Sequence, residues 1–178
     1  MLIAIDGKLA RRSHDRGADL PPIDLVSAWA TDARLVLGQV AVDVQSNEST
    51  AVMALLDVTG AVVTLDAMHC HHATAAAIRA GDADVLALNG NQPATYDAVE
   101  TFFAEAVREA WRGVPHARLV TEDAGHGRLE TRCYWTTTDL DLLAYLNPAE
   151  ITWPDLACVG LVERERTADG HTSRETRY

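Results

Sequence analysis

Two short apolar runs that each end on an acid constrain this chain more than anything else in it. Leu2-Ile3-Ala4-Ile5 leads into Asp6-Gly7-Lys8, and Ala61-Val62-Val63-Thr64-Leu65 leads into Asp66-Ala67. Runs of four or five apolar residues rich in β-branched side chains read as strands, too short for buried helices. A strand apolar on both faces belongs inside a sheet covered by helices. Side by side, the two strands would bring Asp6 and Asp66 to one end of that sheet. Paired carboxylates in such a place are hard oxygen ligands suited to Mg²⁺ or Mn²⁺ and to phosphoryl chemistry.

The chain between and after these strands reads as alternating elements. Lys8, Arg11, Arg12 and Arg16 crowd one loop, closed by Gly17 and Pro21-Pro22, with Asp15 and Asp19 partly cancelling its charge. Ile23–Ala30 and Leu35–Val42 form two strand-like runs around the polar turn Thr31-Asp32-Ala33-Arg34, a hairpin. Ser46-Asn47-Glu48-Ser49 offers a helix cap, with Val52, Leu55 and Leu56 at helical spacing behind it and Gly60 as the stop. An alanine-rich helix over 73–80, a strand over 84–88 and a helix from Ala94 to Trp111 follow, the last opened by Pro93. The order β-β-β-α-β-α-β-α is that of an RNase H-like fold, with the hairpin on one side of the first strand and the helix-linked strands on the other.

Beyond Gly113 the pattern changes. Ala117–Thr121, Arg128–Thr137 and Ala157–Arg166 alternate polar and apolar residues, so these strands carry one wet face. Asp139–Leu146 reads as a short helix, and Ala168-Asp169-Gly170 as a hairpin turn. The expected organisation is a catalytic-core portion over 1–113 and a β-rich region over 114–178.

Composition sets limits. The 178 residues fit one domain, with or without an inserted flap, and 48% hydrophobic content is enough for a core. No run approaches the ~18 apolar residues of a membrane helix, and the N-terminus lacks the pattern of a signal peptide, which places the chain in the cytoplasm. Cys70, Cys133 and Cys158 are odd in number and widely spaced, as reduced thiols are. A net charge of −11 argues against binding nucleic acid over the whole surface; any DNA contact must be local or lie outside this chain.

Eight ordered motifs go beyond pattern: AIDGK (4–8), LVSAW (25–29), VLGQVAVD (36–43), SNE (46–48), TLDAMH (64–69), GNQP (90–93), HGRLETR (126–132) and ETRY (175–178). Together they resemble the H-repeat-associated transposases of bacterial insertion sequences, a DDE-type family, over essentially the whole chain. The resemblance implies an RNase H-like core with two aspartates and a glutamate holding two divalent metals, and transposon-end DNA as partner; it leaves a homo-oligomer open. The two aspartates fall on Asp6 and Asp66. Lys8, Arg11, Arg12, Asn91 and Gln92 are the candidate contacts to DNA phosphates.

The family's glutamate sits on a later helix in a Trp-x-Ile-Glu-Asn context that this chain lacks. The expectation is therefore a chain truncated at both ends and inactive alone. Its rivals are a decayed remnant that only folds or associates, and a free-standing RNase H-like nuclease completed by Glu130. Glu130 would finish an Asp-Asp-Glu order, but Arg128 and Arg132 flank it as ion-pair partners. His69-Cys70-His71-His72 invites a zinc reading, against which stands the crowding of adjacent ligands.

Overall fold

The computed structural model describes residues 1–10, 13, 22–42, 48–55, 60–79, 83–125, 127–148 and 152–178. Arg11 and Arg12, the Ser46-Asn47 cap, Leu56 and His126 lie outside the described residues. The chain divides into two compact units, 1–87 and 88–178.

The first unit is a mixed five-stranded sheet with two helices. Its strands are β1 (Leu2–Leu9), β2 (Asp24–Ala30), β3 (Leu35–Ala41), β4 (Val62–Leu65) and β5 (Ala83–Leu86), in the order β3-β2-β1-β4-β5. The hairpin β2–β3 lies antiparallel on one side of β1, whereas β4 and β5 run parallel on the other. Parallel neighbours need a crossover, and α1 (Glu48–Leu55) and α2 (His72–Arg79) supply the helices of the two crossovers. Their apolar residues pack with Ile3, Ile5, Val26, Ala28, Val63 and Leu65 into one core. Gly38 sits beside a bulge between Ala28 and Trp29, and a Cβ there would stand 3.0 Å from Leu55 Cδ2, so glycine lets α1 approach the strand.

One expectation changes here. The sequence pattern ends the first strand at Ile5, but β1 runs on to Leu9, because its pairing with β2 continues to Leu9 opposite Asp24. Asp6 therefore stands inside a strand and not at its end.

The second unit joins α3 (Pro93–Arg108) and α4 (Leu140–Leu146) to an antiparallel sheet ordered β6-β7-β8-β9. These strands are β6 (His116–Gly125), β7 (Arg128–Thr137), β8 (Val159–Ala168) and β9 (His171–Arg177). Val99 and Phe103 of α3, Leu142 and Leu146 of α4, and Leu161 of β8 form its core, with Trp111, Trp135 and Tyr178 packed against them. The units divide after Ala87 and not near Gly113, because α3 buries its apolar stripe in this second core. Asp139 caps α4 by accepting a hydrogen bond from the Leu142 N–H at 3.0 Å. The β8–β9 hairpin turns on Asp169 (φ 52°) and Gly170 (φ 75°), the two left-handed residues that a tight hairpin needs. Among the described residues no helix is long and apolar enough to cross a membrane.

Candidate functional site

The geometry of the first unit rests on register. β1 and β4 pair from Leu2 opposite Val62 to Ile5 opposite Leu65. One residue further along both strands brings Asp6 beside Asp66, with neighbouring strands ~4.8 Å apart. Alternation fixes the side. Ile3, Ile5, Val63 and Leu65 point into the core, so Asp6 and Asp66 point the other way. Asp66 still has an extended backbone (φ −71°, ψ 170°), so the alternation holds through it. Both acids are exposed on the face opposite the helices.

Asp66 is also the cap of a 3₁₀ turn over Ala67–His69: its Oδ1 accepts the Met68 N–H at 3.1 Å, and His69 Nε2 stands 3.9 Å from the same oxygen. One carboxylate oxygen is held by the backbone, and that orients the other. Asp6 continues a polar row across the sheet, beside Ser27 and then Gln39, whose Nε2 donates to Ser27 Oγ at 2.8 Å. Lys8, two residues on, shares this face and lines an open groove of about 550 Å³ with Leu9, Ala10, Leu25, Ser27 and Gln39.

His69 and Cys70 are buried while His71 and His72 are exposed, so the four do not converge. Among the described residues no group of three or more His, Cys, Asp or Glu side chains is placed to share a metal ion. Asn91 and Gln92 belong to the turn that opens α3 in the second unit. Glu130 lies in β7 of that unit, nearly buried at 7% exposure and ion-paired with Arg132. Hydrogen bonds donated to Tyr134 first and Glu130 second hold the Arg132 guanidinium even more firmly protonated than usual.

Comparison with known proteins gives this site a context. A protein encoded 3′ of dhlA in Xanthobacter autotrophicus, itself without a named function, is 38% identical over 98% of this chain and 58% of its own length. YncI of Escherichia coli O157:H7, named as a candidate transposase, is 35% identical over 94% of this chain and 43% of its own length. YbfD of Escherichia coli K12, named as an H repeat-associated candidate transposase, is 36% identical over 75% of this chain and 53% of its own length. No family model matches the chain, and no solved structure matches it. The chain is a relative of transposase-like proteins, among them proteins named as H repeat-associated candidate transposases. It spans about half the length of the curated relatives it matches.

Proposed function

We propose that this chain carries the first two metal-binding carboxylates of a DDE-type, RNase H-like transposase acting on DNA phosphodiesters. One observation carries the reading: Asp6 and Asp66 stand in register on adjacent parallel strands, both facing away from the core. The strand order β3-β2-β1-β4-β5, hairpin on one side and crossovers on the other, supports the RNase H-like assignment.

The residues fit a hard divalent cation such as Mg²⁺ or Mn²⁺. Two carboxylates offer oxygen ligands on a solvent-facing surface, and backbone capping of one Asp66 oxygen pre-orients the second. When bound, such ions activate an attacking water or 3′-hydroxyl and stabilise the leaving oxygen. The chain's own residues do the rest. Asp6 and Asp66 set where the ions sit, and Lys8 supplies a positive charge on the same face for a phosphate oxygen.

Two carboxylates are an incomplete set for two-metal chemistry, which fixes both ions ~3.5–4 Å apart. We therefore read the chain as binding metal but inactive in strand cleavage by itself. Two assays test this. Mn²⁺ should raise the melting temperature of the wild-type chain and not that of Asp66→Asn, since only binding to the folded state stabilises it; an equal shift in both would place the metal elsewhere. Supercoiled plasmid should stay unnicked in Mn²⁺. Nicking that is lost in Asp6→Ala would instead support a complete nuclease, and Glu130→Gln would then show whether Glu130 completes it.

A further inference from the structure

The central strands β7 and β8 pack Trp135, Val159 and Leu161 of one sheet face into the core with α3 and α4. The other face of the sheet is read from the register. Glu130 stands opposite Arg166; Arg132 stands opposite Arg164, which stands opposite Glu175; Tyr134 stands opposite Val162, which stands opposite Arg177. Arg128 shares this face at one end of β7, and Asp123 of β6 lies beside Glu130. Five of the chain's 15 basic residues thus fall on one sheet face. Set against Asp123, Glu130 and Glu175 they leave it two charges positive, on a chain whose net charge is −11.

The cations are also arranged. Arg132 and Arg164 are directly opposed across β7 and β8, a like-charge pair that a sheet disfavours. The face tolerates it by anchoring each guanidinium at one edge: Arg132 on Glu130, and both Arg164 and Arg177 on Glu175, the latter two at 2.6 Å. A guanidinium has five N–H donors, and a carboxylate engages at most two of them, so donors remain on all three. They border a depression of about 290 Å³ lined by Arg132, Tyr134, Val162, Arg164, Glu175 and Arg177. Arg132 and Arg177 are well exposed, with 47% and 70% of their side-chain surface accessible.

We propose that this arginine face of β7, β8 and β9 grips the phosphate backbone of DNA, with Arg132, Arg164 and Arg177 as the phosphate contacts. Guanidinium forks match phosphate oxygens, and contacts to the backbone position DNA without reading its sequence. The choice of DNA over another polyanion rests on the transposase reading. The surface itself does not depend on the Asp6–Asp66 pair, which sits on a different sheet. It also answers the acidity of the chain, because the positive charge is gathered on one face.

The test uses the full chain and a short labelled duplex of arbitrary sequence, by fluorescence anisotropy in EDTA over a range of salt. The wild-type chain should bind, with affinity falling as salt rises. Arg164→Gln with Arg177→Gln should weaken binding at least tenfold and lower the log–log salt slope by about 2, about 1 per lost phosphate contact. Arg118→Gln with Arg174→Gln removes the same charge from the opposite face of the sheet and should change affinity less than twofold. Glu175→Gln should tighten binding several-fold, a gain that misfolding cannot imitate. No binding by the wild-type chain, equal losses in the two double variants, or unchanged affinity in Glu175→Gln would overturn the proposal. So would tighter binding to duplex RNA, or a salt-sensitive self-association that the Arg164/Arg177 variant abolishes without DNA. EDTA removes the cation throughout, so failure here leaves the metal pair standing, and failure of the Mn²⁺ shift leaves this result intact.

Discussion

The two sheets solve the same problem with opposite chemistry on their open faces. Among the described residues each packs the helices of its own unit on one side. In the first unit the uncovered side carries Asp6 and Asp66 in register, with Ser27, Gln39 and Lys8 around them. In the second it carries arginines interleaved with glutamates that hold them. The difference lies in how charge is stabilised. Like charges in the first sheet lie beside each other in register, an arrangement suited to a cation. Charges in the second are neutralised pairwise by neighbours in the same sheet, and the surplus is positive.

The largest test concerns whether the cores are separate. Phe103 is 1% exposed and packs between Trp111 at 5.7 Å and Tyr178 at 6.0 Å between ring centroids. Phe103→Ala should cost about 3–5 kcal/mol in denaturant unfolding, with hydrogen-exchange protection lost over 88–178. Equal loss over 1–87 would merge the two cores into one cooperative unit. Next in size is Asn147, whose side chain donates to the Trp153 carbonyl at 2.6 Å and accepts from its N–H at 2.8 Å, both residues being buried. Asn147→Ala removes both bonds and should cost about 2–3 kcal/mol, read from the same curves.

Two smaller changes address the open faces directly. Glu130→Gln removes the buried end of the pair with Arg132 and should lower stability by about 1 kcal/mol. It should leave the Mn²⁺ shift unchanged; a lost shift would bring Glu130 into the metal site. Asp66→Asn should do the reverse. It relieves repulsion with Asp6, keeps an oxygen for the Met68 cap, and should leave metal-free stability unchanged or raise it by under 1 kcal/mol. The smallest effect is in pH. Its hydrogen bond with Arg177 holds the Glu175 carboxyl below the usual range, helped by the nearby charges of Arg164 and Arg177. A depressed carboxyl stabilises above its unfolded pKa, and that contribution fades as pH falls through the folded value. The Arg177→Gln variant should therefore lose less stability on acidification than the wild-type chain, in thermal melts taken below about pH 4.5.

Much of the first sheet was readable from sequence because its signals are local. Apolar runs ending on Asp6 and Asp66, and a polar turn between two strand-like runs, each specify an element within a few residues. β7 was readable for the same reason, and its limits of Arg128 and Thr137 match the pattern. β6 was harder: its ten residues are all exposed, so no alternation marks the stretch beyond Thr121. The extension of β1 past Ile5 was hidden too, since Gly7 and Lys8 are poor strand formers held by pairing with β2. The arginine face was invisible for a different reason. Arg128, Arg132, Arg164, Arg166 and Arg177 are scattered over fifty residues of sequence. Only the register of three strands makes them neighbours. Glu130 shows the same limit: its flanking arginines announce an ion pair, but not that the glutamate is buried.

The end of α3 carries a consequence for how this chain can change by mutation. Ala110 and Trp111 adopt left-handed backbone (φ 51° and 58°), and Trp111 thereby stacks on His116 at 4.6 Å and lies parallel to Trp135 at 6.4 Å. A left-handed alanine is disfavoured by ~1 kcal/mol, and a β-branched side chain by more. Position 110 therefore reverses the usual substitution ranking of a helix: glycine and asparagine are improvements, and valine or isoleucine are the damaging choices. A saturation library scored for folding would show α3 penalising glycine at Ala104 and welcoming it six residues later.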